Sequence, residues 1–244
     1  GANLSGLTIL NEQYGLVTGD GIRRIDLKSL NNVRIKNERL LCFYNSIIYN
    51  GKVLSNDTYK DESKVKYYDV NELIAAKEGE APAVTELDII QKQKINFVLA
   101  KDGNVYTLES ADNGCNIVKI KNDFTLEKVF ANFQPAKGPY HSSPTIGMVA
   151  SETENIIYLV STDGAIYKYI LGDSDSLKAP FIAAESGVSI TAPLQLNQQS
   201  GELYVTYTEE LKDESKIVVY SKDGKVLHTV DCGESVPSQI LFNN

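Results

Sequence analysis

The chain has 244 residues, 42% hydrophobic and 23% charged, enough apolar material for a sizeable core. It carries 24 Lys and Arg against 32 Asp and Glu, a formal charge of −8, which argues against nucleic acid or an anionic membrane face as a partner. Its three cysteines, Cys42, Cys115 and Cys232, form no CxxC pair and stand at no metal spacing from either histidine.

In chain order, short β-rich runs follow one another with little interruption, at 15–17, 22–27, 40–44, 47–49 and 65–69. They continue at 95–100, 105–108, 116–120, 156–161 and 166–170, then at 203–207, 217–220, 226–230 and 240–242. Gly-containing turns separate them, among them Asn50-Gly51, Asn113-Gly114, Ser200-Gly201 and Asp223-Gly224. One unit is written twice: INFVLAKDGNVYTLE at 95–109 and IIYLVSTDGAIYKYI at 156–170. Each reads as strand, Asp-Gly turn and strand, with a two-residue turn that needs positive φ. A second repeat, KDESKV at 60–65 and KDESKI at 212–217, precedes a strand ending in tyrosine in both copies. One segment departs from the β pattern. VNELIAAKEG at 70–79 predicts a helix capped by Asp69, expected to decorate a loop.

A repeated β unit predicts stacked sheets. We expect a single all-β domain over 1–244: a β-propeller of about five four-stranded blades, with six as the alternative. First-strand candidates are 7–10, 39–43, 86–90, 145–149, 192–196 and 238–242. The surplus segment at the C-terminus is expected to close the ring by pairing near 15–17, which would remove exposed edges.

Catalytic chemistry finds little to work with. There are two histidines, His141 in GPYHSSP and His228 in KVLHTV, and no G-x-S-x-G elbow, Walker loop or dinucleotide fingerprint. Gly172-Asp173-Ser174-Asp175-Ser176 lacks the sixth-position Gly and distal Glu of a calcium loop, so neither metal nor cofactor is expected. The proline-framed loop at 138–144 leads into a first-strand candidate. Tyr140 and His141 are therefore the foremost candidate ligand contacts, followed by Tyr44 and Tyr49. Exposed tyrosine gives large rigid contact area at low entropy cost.

The apolar-Asp-Gly-apolar-Tyr units, such as NVYTL and AIYKYI after their turns, resemble repeats of WD40-like and quinoprotein-like β-propellers. The Trp motifs of those families are missing, since the chain has no Trp. In texture the sequence is similar to the propeller regions of secreted Bacteroidetes lipoproteins, including those of the PKD-like kind. That resemblance implies export, a lipid anchor and a place at the outer membrane surface or in the periplasm. The opening Gly1-Ala2-Asn3, without an initiator Met, fits the same expectation of a mature product. No signal peptide or membrane-spanning run is visible. The functional expectation is a monomeric, non-enzymatic binding or scaffolding protein for a glycan or protein ligand. The alternative is a propeller-fold polysaccharide hydrolase or lyase using carboxylates from neighbouring blades.

Overall fold

The computed structural model describes residues 6–19, 21–36, 46–56, 63–80, 82–91, 96–136, 147–209, 214–237 and 240–242. Two compact units divide the chain, Gly1–Phe97 and Val98–Asn244. Nearly every β-rich run becomes a strand. Among the described residues the strands form five antiparallel sheets, each filled largely in chain order.

The first unit holds two of them. Sheet I is β1 (Gly6–Ile9), β2 (Tyr14–Gly19), β3 (Gly21–Asp26) and β4 (Asn32–Lys36). Sheet II is β5 (Ile47–Tyr49), β6 (Lys52–Asn56), β7 (Ser63–Asp69) and β8 (Val84–Gln91). Between β7 and β8 lies the predicted helix, α1 (Val70–Ala75). Asp69 caps it by accepting hydrogen bonds from the backbone N–H groups of Asn71 and Glu72. The helix is shorter than its sequence signal and does more than decorate a loop. Leu73 is 0% exposed, within a core cluster with Leu16, Ile22, Val53 and Tyr68. Arg24 of β3 donates to the carbonyls of Ile74 and Ala76, fixing the helix end to sheet I.

The second unit holds three sheets. Sheet III is β9 (Val98–Leu99), β10 (Val105–Ala111), β11 (Gly114–Ile120) and β12 (Leu126–Phe133). Sheet IV is β13 (Met148–Ala150), β14 (Ile156–Val160) and β15 (Ile166–Ile170). Sheet V places β16 (Val188–Ile190) and β17 (Gln195–Leu196) on one edge of β18 (Leu203–Glu209). It continues through β19 (Ser215–Tyr220) to β20 (Val226–Gly233). The continuous apolar run of β14 is buried at every position, as a strand covered on both faces requires. One cluster joins Tyr158 and Ile166 of sheet IV to Leu203, Val205 and Tyr207 of sheet V.

Several expectations need correction. Sheet IV has three strands rather than four. The chain after β15 instead forms a 3-10 helix (Ser174–Leu177), capped by Asp173. That segment bridges Ile166 to Ile182 and Ile170 to Asp173, so the edge of β15 is covered near both ends. Residues 86–90 lie in β8, the last strand of sheet II, and not at the start of sheet III. The segment 39–43 lies outside the described residues. Ring closure near 15–17 has no free edge to use: those positions of β2 pair with β1 on one side and β3 on the other. Residues 240–242 form no strand. Ile240 donates its N–H to Gln195 Oε1, and the Phe242 ring meets Tyr204 edge-on at 5.0 Å.

The turns are also of another kind. Ala100 accepts from Gly103 N and donates to Asn104 O, with Gly103 at φ +74°. This is a three-residue loop ending in a left-handed residue, rather than a two-residue primed turn. Ser161 with Gly164 and Ser221 with Gly224 repeat it. So does Lys121, where Phe124 takes the left-handed position at φ +63°. These loops join different strand pairs: β9 to β10, β14 to β15, β19 to β20 and β11 to β12. The doubled hairpin therefore encodes a turn but not a fixed place within a sheet. The other repeat holds its place, since Ser63 and Ser215 each open the third strand of their sheets.

Candidate functional site

The site starts where β12 ends. Asn132 sits at φ +60°, a conformation Asn tolerates better than most residues. The chain then crosses to sheet IV: Thr162 N–H donates to Gln134 O, and Ala136 N–H donates to Val160 O, both at close range. These bonds fasten the end of β12 beside the β14–β15 turn. A solvent-open groove of about 440 Å³ lies elsewhere, between the two turns of sheet III, whereas this junction encloses about 280 Å³.

The floor of the junction groove is apolar. Phe130, Phe133 and Leu177 line it together with the ring of Tyr167. Phe133 and Tyr167 meet edge to face, centroids 5.7 Å apart and planes at 88°. The rim is polar, formed by Asn132, Gln134, Thr162 and Asp163. Gln134 Nε2 donates to Asn113 O at 2.7 Å, which orients its side chain. Asp163 Oδ1 accepts from Ser161 Oγ and from Ala165 N–H. The Ser161 hydroxyl, and then the Ala165 amide, hold the Asp163 carboxyl below its ordinary value. The second carboxylate oxygen makes no hydrogen bond among the described residues. Nor do the Asn132 amide, the Thr162 hydroxyl and the Tyr167 hydroxyl.

The larger opening is lined by Asn104, Lys119, Lys121, Asn122 and Asp123. Its cations are already engaged. Lys119 Nζ lies 2.9 Å from Asp102, and Lys121 Nζ lies 2.9 Å from Glu127. Asp102 also accepts from the Tyr106 hydroxyl at 2.9 Å. Burial works upward on the Asp102 carboxyl, but hydrogen bonds from Lys119, Asn104 and Tyr106 outweigh it and leave it below its ordinary value. Burial, then the bond to Asp102, pushes the Tyr106 hydroxyl far up, so it stays a donor. This trio ties a turn to a strand, with the Asp102 carboxylate already engaged by its donors.

Tyr140, His141 and Tyr44 lie outside the described residues. Tyr49 is 5% exposed and packed in β5, so it presents no open ring face to a ligand. The groove residues were missed because Phe130 and Phe133 lie in β12, which no sequence run marked, and because Thr162-Asp163 read as turn chemistry alone. His228 lies on β20, an edge strand exposed along nearly its whole length.

The chain belongs to the family described as "Domain of unknown function (DUF5074)", whose profile matches residues 4–243. No curated protein matches it. Among solved structures it is similar to a catalytically inactive virginiamycin B lyase from Staphylococcus aureus, solved with quinupristin. The TM-score is 0.52 at 14% identity, over 100% of this chain and 75% of that one. A streptogramin B lyase structure matches with a TM-score of 0.47 at 15% identity, over 94% and 69% of the two chains. At 14% identity the first of these likenesses speaks for a propeller-like all-β fold and nothing more.

Proposed function

We propose that this protein is an exported, non-enzymatic binding protein that holds a glycan or protein ligand in the groove between sheets III and IV. The observation that carries the reading is the groove itself: an aromatic floor beneath several polar side chains that make no hydrogen bond among the described residues. Unpaired polar groups over apolar surface are the usual composition of a binding pocket. A place at the outer membrane surface or in the periplasm, with a lipid anchor, completes the proposal and rests on the sequence texture alone.

The enzymatic alternative asks for a carboxyl kept protonated as a general acid. Asp102, Asp123, Glu127 and Asp163 are all shifted the other way, each by hydrogen bonds to its ionised form. These four carboxylates are therefore ionised acceptors rather than general acids. The test is an array of immobilised glycans and peptides, read with the wild-type chain and with Tyr167→Ala. Saturable binding that weakens in the variant, at an unchanged far-UV spectrum, is expected. Binding that ignores the substitution overturns the reading.

A further inference from the structure

We infer that the groove between β12 and the β14–β15 turn takes an uncharged sugar ring, stacked on the aromatic floor and hydrogen-bonded through its hydroxyl groups. The inference rests on the binding reading above and narrows it to one ligand class.

Size comes first. At about 280 Å³ the groove is just below the range of pockets that enclose a drug-sized ligand. It suits one small ring, or the end of a longer chain that continues into solvent.

The chemistry of the lining then selects the ring. A sugar has one face of C–H groups and a rim of hydroxyls that each donate and accept. The groove mirrors that division, with Phe130, Phe133 and Tyr167 below and Asn132, Thr162 and Asp163 around the edge. Asp163 offers an unused carboxylate oxygen, Asn132 offers both a donor and an acceptor, and Thr162 and Tyr167 offer hydroxyls. A set of mixed sign, with both planar amide and carboxylate, matches neighbouring hydroxyl pairs.

Charge excludes the nearest competitor. Among the described residues that line the groove there is no Lys or Arg, while Asp163 is one of them. An acidic sugar or a phosphate would meet an unneutralised carboxylate, a repulsive contact in a partly enclosed site. An extended peptide is disfavoured by the backbone. Strand addition needs a free edge, and on the sheet IV side of the groove the edge of β15 is already bonded at Ile166 to Ile182 and at Ile170 to Asp173; the outer edge of β12 is left to the peptide arm of the test.

The test is a titration of the ¹⁵N-labelled chain followed by NMR. The neutral probes are gluco-, manno-, galacto- and xylo-oligosaccharides and oligomers of N-acetylglucosamine. The counter-probes are oligogalacturonate and an extended peptide library. The companion variant is Asn132→Gly with Thr162→Ala, which keeps the left-handed backbone at 132 and removes an amide and a hydroxyl. We expect a neutral probe to shift the amides of Thr162, Asp163 and the Asn132 side chain. In the variant the Kd should rise about tenfold with the melting temperature unchanged. Oligogalacturonate or peptide binding at these residues, with no neutral probe doing so, defeats the sugar class and leaves the binding site standing. A neutral probe that shifts other residues, or binds the variant equally well, removes the groove from recognition. If no probe moves these residues, both the class and the site fall.

Discussion

Phe124 holds, at φ +63°, the turn position that Gly103 holds at φ +74°. Four loops of the second unit share one frame, AKDGN, KNDFT, STDGA and SKDGK, and only the second lacks glycine at the left-handed residue. In three of the four, the Asp side chain caps the turn by accepting the N–H two residues on: Asn104, Thr125 and Ala165. Glycine carries no Cβ penalty in that conformation, and an L-residue costs about 1–2 kcal/mol there.

Two alanine substitutions separate strain from crowding. A Cβ at Gly103 would meet nothing within 4 Å, whereas one at Gly224 would lie 3.3 Å from the ring and carbonyl of Phe181. Gly103→Ala should cost about 1 kcal/mol, from the left-handed backbone alone. Gly224→Ala should cost more. Chemical denaturation of both variants checks the order, and equal losses would show that Phe181 yields freely.

Inside sheet V, the Tyr207 and Tyr220 hydroxyls bond each other at 3.0 Å with both rings buried. Burial is the main reason that both hydroxyls sit above their ordinary values. Removing one leaves the other unsatisfied, so each single Tyr→Phe change should cost about 1–3 kcal/mol. The double variant should recover part of that loss. A double-mutant cycle measures the coupling, and strictly additive losses would mean that water replaces the missing partner.

Acid stability has a sign fixed by Asp102. Its folded-state value lies below the ordinary 3.8. The carboxylate therefore contributes stability that is present above that ordinary value and is lost as pH falls through the lowered one. Asp102→Asn should be less stable at neutral pH and show a flatter fall in melting temperature below about pH 4. Parallel acid limbs for the two proteins would assign the acid sensitivity to other groups.

Two of the thiols should differ sharply. Burial raises the Cys115 thiol to about 11, while Cys232 is half-exposed on β20. Since the thiolate is the nucleophile, iodoacetamide at pH 8 should label Cys232 quickly and Cys115 only after unfolding. Peptide mapping by mass spectrometry reads both sites in one sample. Early modification of Cys115 would reveal opening of the β11 face.

Much of the fold was legible because strands and turns are local. The 156–161 run became the fully buried β14, and Asp69 became the cap of α1. What escaped was non-local or masked by chemistry. Phe124 hid a turn because sequence reasoning looks for glycine where positive φ is required. The helix at 70–79 read as a loop decoration because nothing local reveals the core that Leu16 and Val53 supply to Leu73 from other strands. The groove escaped for the same reason: Asn132 and Thr162 are brought together only by the backbone bonds linking sheets III and IV. Of the four tyrosine and histidine candidates, Tyr49 is the one among the described residues, and it ends β5 as a buried side chain.

The C-terminus gives the last prediction. A strand closing a ring would contribute a full row of backbone pairs and several buried side chains, and its removal would unfold the protein. Among the described residues, 240–242 make a smaller set of contacts: one N–H to Gln195 Oε1 and one edge-on ring contact with Tyr204, while Leu241 stays 81% exposed. An aromatic pair is worth about 0.5–1.5 kcal/mol beyond its area, and a single hydrogen bond about 0.5–1.5 kcal/mol. Deleting 240–244 should therefore leave a soluble, folded protein that melts a few degrees lower. Phe242→Ala alone should account for about half of the shift. Melting curves of the two variants decide the matter. Aggregation of the truncated chain, with Phe242→Ala near wild type, would mean that backbone pairing at this end carries far more of the stability than the ring contact does.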